Sequence, residues 1–182
     1  MSTASLRGQL LVASPSLVDP NFRRAVVLVV AHDEEGALGL VLNRRTEAEV
    51  AEAVPELAEL VEPGAVVSLG GPVQNQAVVV LAEWDDPDEA GAMVFDGVGL
   101  MGSETESARV AAATRRVRVF AGYAGWGGGQ LEAELKEPSW IVENADVEDV
   151  FAEEGDLWAA VLRRKGGAFK LVATMPENPS LN

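Results

Sequence analysis

Gly122-Tyr123-Ala124-Gly125-Trp126-Gly127-Gly128-Gly129-Gln130-Leu131 places five glycines and two large aromatic residues within ten positions. Glycine enters left-handed backbone at little steric cost and lets another chain approach closely. The run therefore reads as a strand end, a tight turn beneath two rings, and a bare helix start. The alternating Val117, Val119 and Ala121 supply the strand, over Arg116 to Ala121. The helix that follows runs from about Gly129 to Lys136. Three consecutive glycines leave N–H groups free at its start, a geometry that can bind an anion. Glu132 and Glu134 can neutralise the same helix end from within. Tyr123 and Trp126 are expected to be packing rings over the glycine backbone. Only an exposed Trp126 would mark a binding hot spot.

Working outward, short apolar runs separated by turn residues dominate. Gln9 to Ala13 reads as a strand, Asp19-Pro20-Asn21 as a turn, and Arg24 to Ala31 as a strand buried on both faces. Asp33-Glu34-Glu35-Gly36 turns the chain into a second strand, Leu38 to Leu42, forming a hairpin. Thr46 and Glu49 fit a capping box that opens a helix, with Val50, Val54 and Leu57 at helical spacing until Pro55 kinks or ends it. Val66 to Leu69 is a strand that runs into Gly70-Gly71-Pro72, and Gln76 to Ala82 is another. Asp85 to Gly91 is an acidic loop.

Beyond it, Asp96-Gly97 is a favoured type I′ pair joining Met93–Phe95 to Val98–Met101. Ser103 or Thr105 is expected to cap a helix that reaches Thr114. Trp140 to Val142 is a strand, and Val147 to Phe151 a short helix behind Asp146. Asp156 caps a last helix that carries Leu157, Trp158, Val161 and Leu162. The tail from Met175 to Asn182 is expected to be extended. Helices are scattered among the strands without regular βαβ alternation, which argues against a doubly wound parallel sheet. The expected class is α+β: a bent, mixed, largely antiparallel sheet or small barrel with peripheral helices. No linker divides the chain, so residues 1–182 read as a single domain.

A chain of 182 residues can bury roughly 70% of its unfolded surface and needs no disulfide or metal for stability. Cysteine is absent, which excludes thiolate nucleophiles, cysteine zinc sites and iron–sulfur clusters. Met1 to Gly8 lacks the apolar region of a signal peptide. The longest apolar run, Ala25 to Ala31, is far short of the ~20 residues that span a bilayer. A cytoplasmic protein without membrane contact is expected. The net charge of −15 repels nucleic acid and anionic membrane at long range.

Arginines gather at Arg23-Arg24, Arg44-Arg45, Arg115-Arg116-Arg118 and Arg163-Arg164-Lys165. Tight, salt-dependent DNA binders use roughly 6–10 phosphate contacts. These small groups in an acidic chain do not predict direct nucleic-acid binding. His32 is the only histidine; a general base needs a partner and a nucleophile, and no nucleophile elbow is present. His32 therefore reads first as a structural residue. Gly70-Gly71 has no phosphate-loop lysine after it. It reads as a close backbone approach, or as a nest of N–H groups lining a groove.

Several pieces in order resemble the YqgE/AlgH family, also called UPF0301 or DUF179. They are Gly8-Gln9-Leu10-Leu11-Val12-Ala13, Asp19-Pro20-Asn21-Phe22-Arg23-Arg24-Ala25-Val26, His32, Gly36-Ala37-Leu38-Gly39-Leu40-Val41-Leu42-Asn43-Arg44, Gly70-Gly71-Pro72-Val73, Gly122-Tyr123-Ala124-Gly125-Trp126, Gly129-Gln130-Leu131-Glu132 and Met175-Pro176. The resemblance implies a small α+β fold with a bent sheet or barrel core. It implies no defined activity, although some members carry the label of transcriptional regulator. Many relatives carry proline where this chain has Gly128, so a looser helix entry is implied here.

Three functional readings follow. The first is a non-enzymatic protein acting through protein–protein contacts, with no cofactor, metal or catalytic residue. The second is a small-ligand-binding protein or an enzyme of unfamiliar type. The third is the regulator that the family label implies, without direct DNA contact. The candidate binding surface comprises His32, Asn43, Gly70, Gly71, Tyr123, Trp126 and Gln130.

Overall fold

The computed structural model describes residues 4–153 and 155–177. Its strands are β1 (Gln9–Ala13), β2 (Val26–Asp33), β3 (Gly36–Val41), β4 (Arg45–Glu49), β5 (Val66–Leu69), β6 (Val73–Trp84), β7 (Ala92–Phe95), β8 (Val98–Leu100), β9 (Thr114–Gly127) and β10 (Trp140–Asn144). The helices are α1 (Val50–Ala53), α2 (Ser107–Ala113), α3 (Gln130–Lys136), α4 (Val147–Phe151), α5 (Leu157–Lys165) and α6 (Phe169–Val172). The strands form one sheet in the order β10-β1-β2-β3-β9-β6-β8-β7. A branch leaves it at β9, where β5 pairs in parallel and in turn pairs antiparallel with β4. All the other pairs are antiparallel.

This is the mixed, largely antiparallel α+β sheet that the sequence predicts, and it is not closed into a barrel. Its curl brings the far strand back: a Cβ at Gly8, just before β1, would stand 3.1 Å from Phe95 on β7. Ladder pairing there is blocked because β10 already occupies the free edge of β1, with Gln9 opposite Asn144. One core cluster fills the inside of the curl, joining Leu10 and Val12 of β1 to Val94 and Val98, under Trp158 and Leu162 of α5. A second lies on the outer face beneath α3, around Val27, Trp126 and Leu131. A third packs α2 and the 3₁₀ turn Pro55–Leu60 against β6 and β9.

β9 organises the whole. It runs for 14 residues without a break, so the glycine–aromatic segment is strand through Gly127, and the turn falls at Gly128-Gly129. The expected strand end at Ala121 is instead a bend. Gly122, at φ 74°, lets the first half of β9 pair with β5 and β6 while the second half pairs with β3. The type I′ hairpin is as expected, with positive φ at both Asp96 and Gly97.

Local capping signals were overridden at two places. Residues 45–49 are a strand, because Arg45 and Glu49 pair with Ser68 and Val66 on β5. The Thr46 hydroxyl donates to the Val67 carbonyl at 2.7 Å, so it closes a ladder edge and caps no helix. The helix before β9 starts at Ser107, later than Ser103 or Thr105 would have it, and has no side-chain cap. Asp146 and Asp156 cap α4 and α5 as predicted. A further short helix, α6, follows α5. Of the tail expected to be extended, residues 175–177 form neither helix nor strand; residues 178–182 lie outside the described chain.

Candidate functional site

The residues singled out in the sequence fall into two groups. His32, Ala37 and Trp126 stand side by side across β2, β3 and β9, on the face that α3 covers. The Leu6 N–H donates to Nδ1 of His32 at 2.9 Å. Nδ1 is thus the acceptor, the ring proton sits on Nε2, and Nε2–H donates to Glu132 at 2.5 Å. The His32 side chain is 2% exposed, and both of its nitrogens are engaged. The hydrogen bond from His32 holds the Glu132 carboxyl below the usual carboxylate range.

Trp126 is 6% exposed. It stacks on Phe22 with centroids 6.5 Å apart and meets Trp140 edge-on at 6.3 Å. Its Nε1–H donates to Glu134. The Gln130 side-chain oxygen accepts from the Gly127 N–H at 3.0 Å, so part of the glycine-rich helix entry is satisfied by the chain itself.

Asn43, Gly70, Gly71 and Tyr123 lie at the other end of the β2–β3 hairpin. Asn43 accepts from the Val26 N–H at 2.9 Å and donates to the Arg24 carbonyl at 2.8 Å, fixing the positive-φ turn at Arg24. The Gly70 N–H goes to the Ala121 carbonyl, and its own carbonyl accepts from Val41. A Cβ on Gly71 would stand 2.2 Å from the Tyr123 carbonyl carbon. Gly70-Gly71 is therefore the crossing at which the sheet branches, pressed directly onto β9. Tyr123 packs on the inner cluster while Trp126 packs on the outer one. The five positions from Val27 to His32 separate the groups by about 17 Å along β2. His32, Asn43, Gly70, Gly71 and Gln130 do not share one groove.

A cleft of about 630 Å³ opens elsewhere, where β4, β5 and β9 meet. Arg45, Arg115, Arg116 and Arg118 line it, facing the segment Leu60 to Val66. Arg115 pairs with Asp85, and Arg116 pairs with Glu83 and Glu148 at 2.8 and 2.9 Å. Those carboxylates hold the Arg116 pKa above the ordinary guanidinium value.

Arg118 and Arg45 differ: among the described residues their acceptors are neutral. Arg118 donates to the Val150 carbonyl at 2.7 Å, the Leu42 carbonyl at 2.9 Å and the Ser68 hydroxyl. Arg45 donates to the Ala152 and Glu153 carbonyls. Both arginines thereby close the C-terminal end of α4, whose free carbonyls carry partial negative charge. A guanidinium has five N–H donors, so each keeps unspent donors. Burial, with the charge of Arg45 second, pulls the Arg118 pKa down to about 9, and the group stays cationic at neutral pH.

In the sequence these arginines read only as small groups, too few for tight phosphate contacts. A sharper signal was present. Arg116 and Arg118 alternate with Val117 and Val119 in β9, so they share a face with Phe120, which is fully buried. Cations on the buried face of a strand are costly unless they are paired or used. What could not be read from the sequence was that β5 brings Arg45 alongside, with Ser68 opposite both Arg45 and Phe120.

The fold and the cleft define an α+β protein built on an open, curled sheet that branches at one long strand, with cationic donors gathered at the branch. The chain belongs to the AlgH-like DUF179 family, whose model matches residues 10–170. It is 45% identical to a UPF0301 protein of Thermobifida fusca, over 100% of this chain and 98% of that one. It is 46% identical to a UPF0301 protein of Streptomyces coelicolor, over 98% and 96%. Among solved structures, a Corynebacterium diphtheriae protein superposes with a TM-score of 0.86 at 27% identity, covering 96% of this chain and 95% of that one. The AlgH protein of Pseudomonas aeruginosa superposes with a TM-score of 0.71 at 30% identity, over 97% and 98%.

Proposed function

We propose that this protein is a non-catalytic, cytoplasmic binding protein that recognises an anionic ligand in the arginine cleft. The observation that carries this reading is the pair Arg45 and Arg118, which line a cleft of about 630 Å³ and have only neutral acceptors among the described residues. Guanidinium groups held by fixed carbonyls are preorganised for an oxyanion, because their ordering precedes binding. In a chain of net charge −15, such a local cationic focus concentrates anions that the rest of the surface repels.

Binding rather than catalysis is favoured because His32, the only histidine, is enclosed with both ring nitrogens engaged. Protein contacts centred on the Trp126 ring lose support, since that ring is covered; Gly122 is buried as well, whereas Gly125 and Gly127 to Gly129 are exposed. The test is thermal denaturation with phosphate against chloride at equal ionic strength. A rise in Tm with phosphate in the wild type, absent in Arg45→Gln, is expected; equal melting in both salts would end the proposal.

A further inference from the structure

Resting on the anion-binding reading, we infer that the ligand of the arginine cleft is a phosphomonoester carried on an apolar or aromatic body. Three observations point to this class.

The first is charge. Arg45 and Arg118 are brought to one site by Ser68, which pairs with Arg45 across the β4–β5 ladder and accepts from Arg118. Neither has a carboxylate partner among the described residues, whereas Arg115 and Arg116 are already paired. The Glu62 and Glu153 carboxylates also line the cleft, but two cations without a direct ion-pair partner among the described residues match a group of about −1.5 to −2 charge, which a phosphomonoester carries at neutral pH and a carboxylate does not. The planar forks of arginine also suit its oxygens in bidentate fashion.

The second is size. Drug-sized ligands occupy clefts of roughly 300–1,000 Å³, and about 630 Å³ falls within that range. An inorganic anion would leave most of the space to water.

The third is the apolar part of the lining. Leu60, Val61, Val117 and Phe151 contribute apolar walls beside the arginines. Such walls contribute nothing to an inorganic ion, but they remove the apolar surface of an organic one from water.

The experiment is calorimetric titration at pH 7.5 and constant ionic strength with phenyl phosphate, inorganic phosphate and benzoate. Phenyl phosphate is expected to bind at least tenfold more tightly than either of the others. Arg45→Gln and Arg118→Lys should each weaken it at least tenfold, while Arg109→Gln, whose side chain pairs with Glu89 away from the cleft, leaves it unchanged. Should Arg118→Lys fail to fold, the exposed Arg45 carries the test alone. Equal affinity for phenyl phosphate and inorganic phosphate overturns the inference but leaves the anion-binding reading standing. Tighter binding of benzoate overturns the charge argument. Failure of all three probes to bind overturns both.

Discussion

His32 and Glu132, 100 positions apart in the chain, meet at 2.5 Å between Nε2 and Oε1. Through the other ring nitrogen, the same imidazole takes the Leu6 N–H. One side chain thus ties the segment before β1, the end of β2 and the first turn of α3 together. His32→Ala would remove both bonds and leave the Leu6 N–H without its acceptor. A loss of about 1–3 kcal/mol is expected, read as a lower urea midpoint at pH 7.5 with an unchanged m-value.

Glu132 gives the same contact a pH dependence. Its folded pKa lies below the ordinary carboxylate value because His32 donates to it. A depressed folded pKa contributes stability that is present above the unfolded pKa and is lost as pH falls through the folded one. Wild type should therefore be more stable than Glu132→Gln at neutral pH, and the gap should close below the normal carboxylate range. Urea melts of both proteins in acid and at neutral pH check this; a gap that is constant with pH would refute it.

Gly122 and Gly64 separate two costs of replacing glycine. Both have positive φ, 74° and 87°. A Cβ at Gly64 meets nothing within 4 Å, whereas at Gly122 it would stand 2.5 Å from the Gly71 carbonyl oxygen. Gly64→Ala should cost only the left-handed backbone penalty of about 1–2 kcal/mol. Gly122→Ala must also move the Gly70-Gly71 crossing off β9, and a loss greater than the Gly64→Ala penalty is expected. Parallel thermal melts of the two variants test whether the branch depends on this contact.

The element types were largely legible because they rest on local chemistry. The Asp96-Gly97 hairpin, the Asp146 and Asp156 caps and the valine-rich β2 follow from turn propensity, capping and β-branching. The errors arose where pairing partners distant in sequence decide the outcome. Thr46 carries a good capping pattern, yet β5 needs a partner and takes residues 45–49. Gly122 looks unlike a strand residue because it serves the close crossing by Gly71, as Gly36 serves the close approach of β3 to the Trp126 carbonyl, which local propensity cannot show. The cleft escaped for the same reason: Arg45 and Arg118 lie 73 positions apart in the sequence and meet only through β5. His32 and Trp126 stood out correctly as unusual, but their surroundings are those of an anchored core.

Arg118 sets stability against binding. Its pKa of about 9 lies below the ordinary guanidinium value, so between those values the unfolded chain retains a proton that the folded chain gives up. Stability then rises with pH across that window, and the full cost of the buried cation is present below about 9. Arg118→Met removes this cost and keeps an unbranched apolar stem. It also leaves the Leu42 and Val150 carbonyls and the Ser68 hydroxyl without their donor. The two effects oppose each other: an unpaired buried charge is costly, and so is a buried acceptor left without its donor. Without ligand, Arg118→Met is expected to lie within about 1 kcal/mol of wild type at pH 7.5, and wild type should gain on the variant at pH 10. With phenyl phosphate at 100 times its Kd, wild type should gain about 2.7 kcal/mol and the variant nothing. Urea melts at both pH values, with and without phenyl phosphate, measure each of these differences. A variant that collapses without ligand would make Arg118 a structural cap of α4 in the first place. A variant that keeps the ligand-dependent gain would remove Arg118 from the binding site.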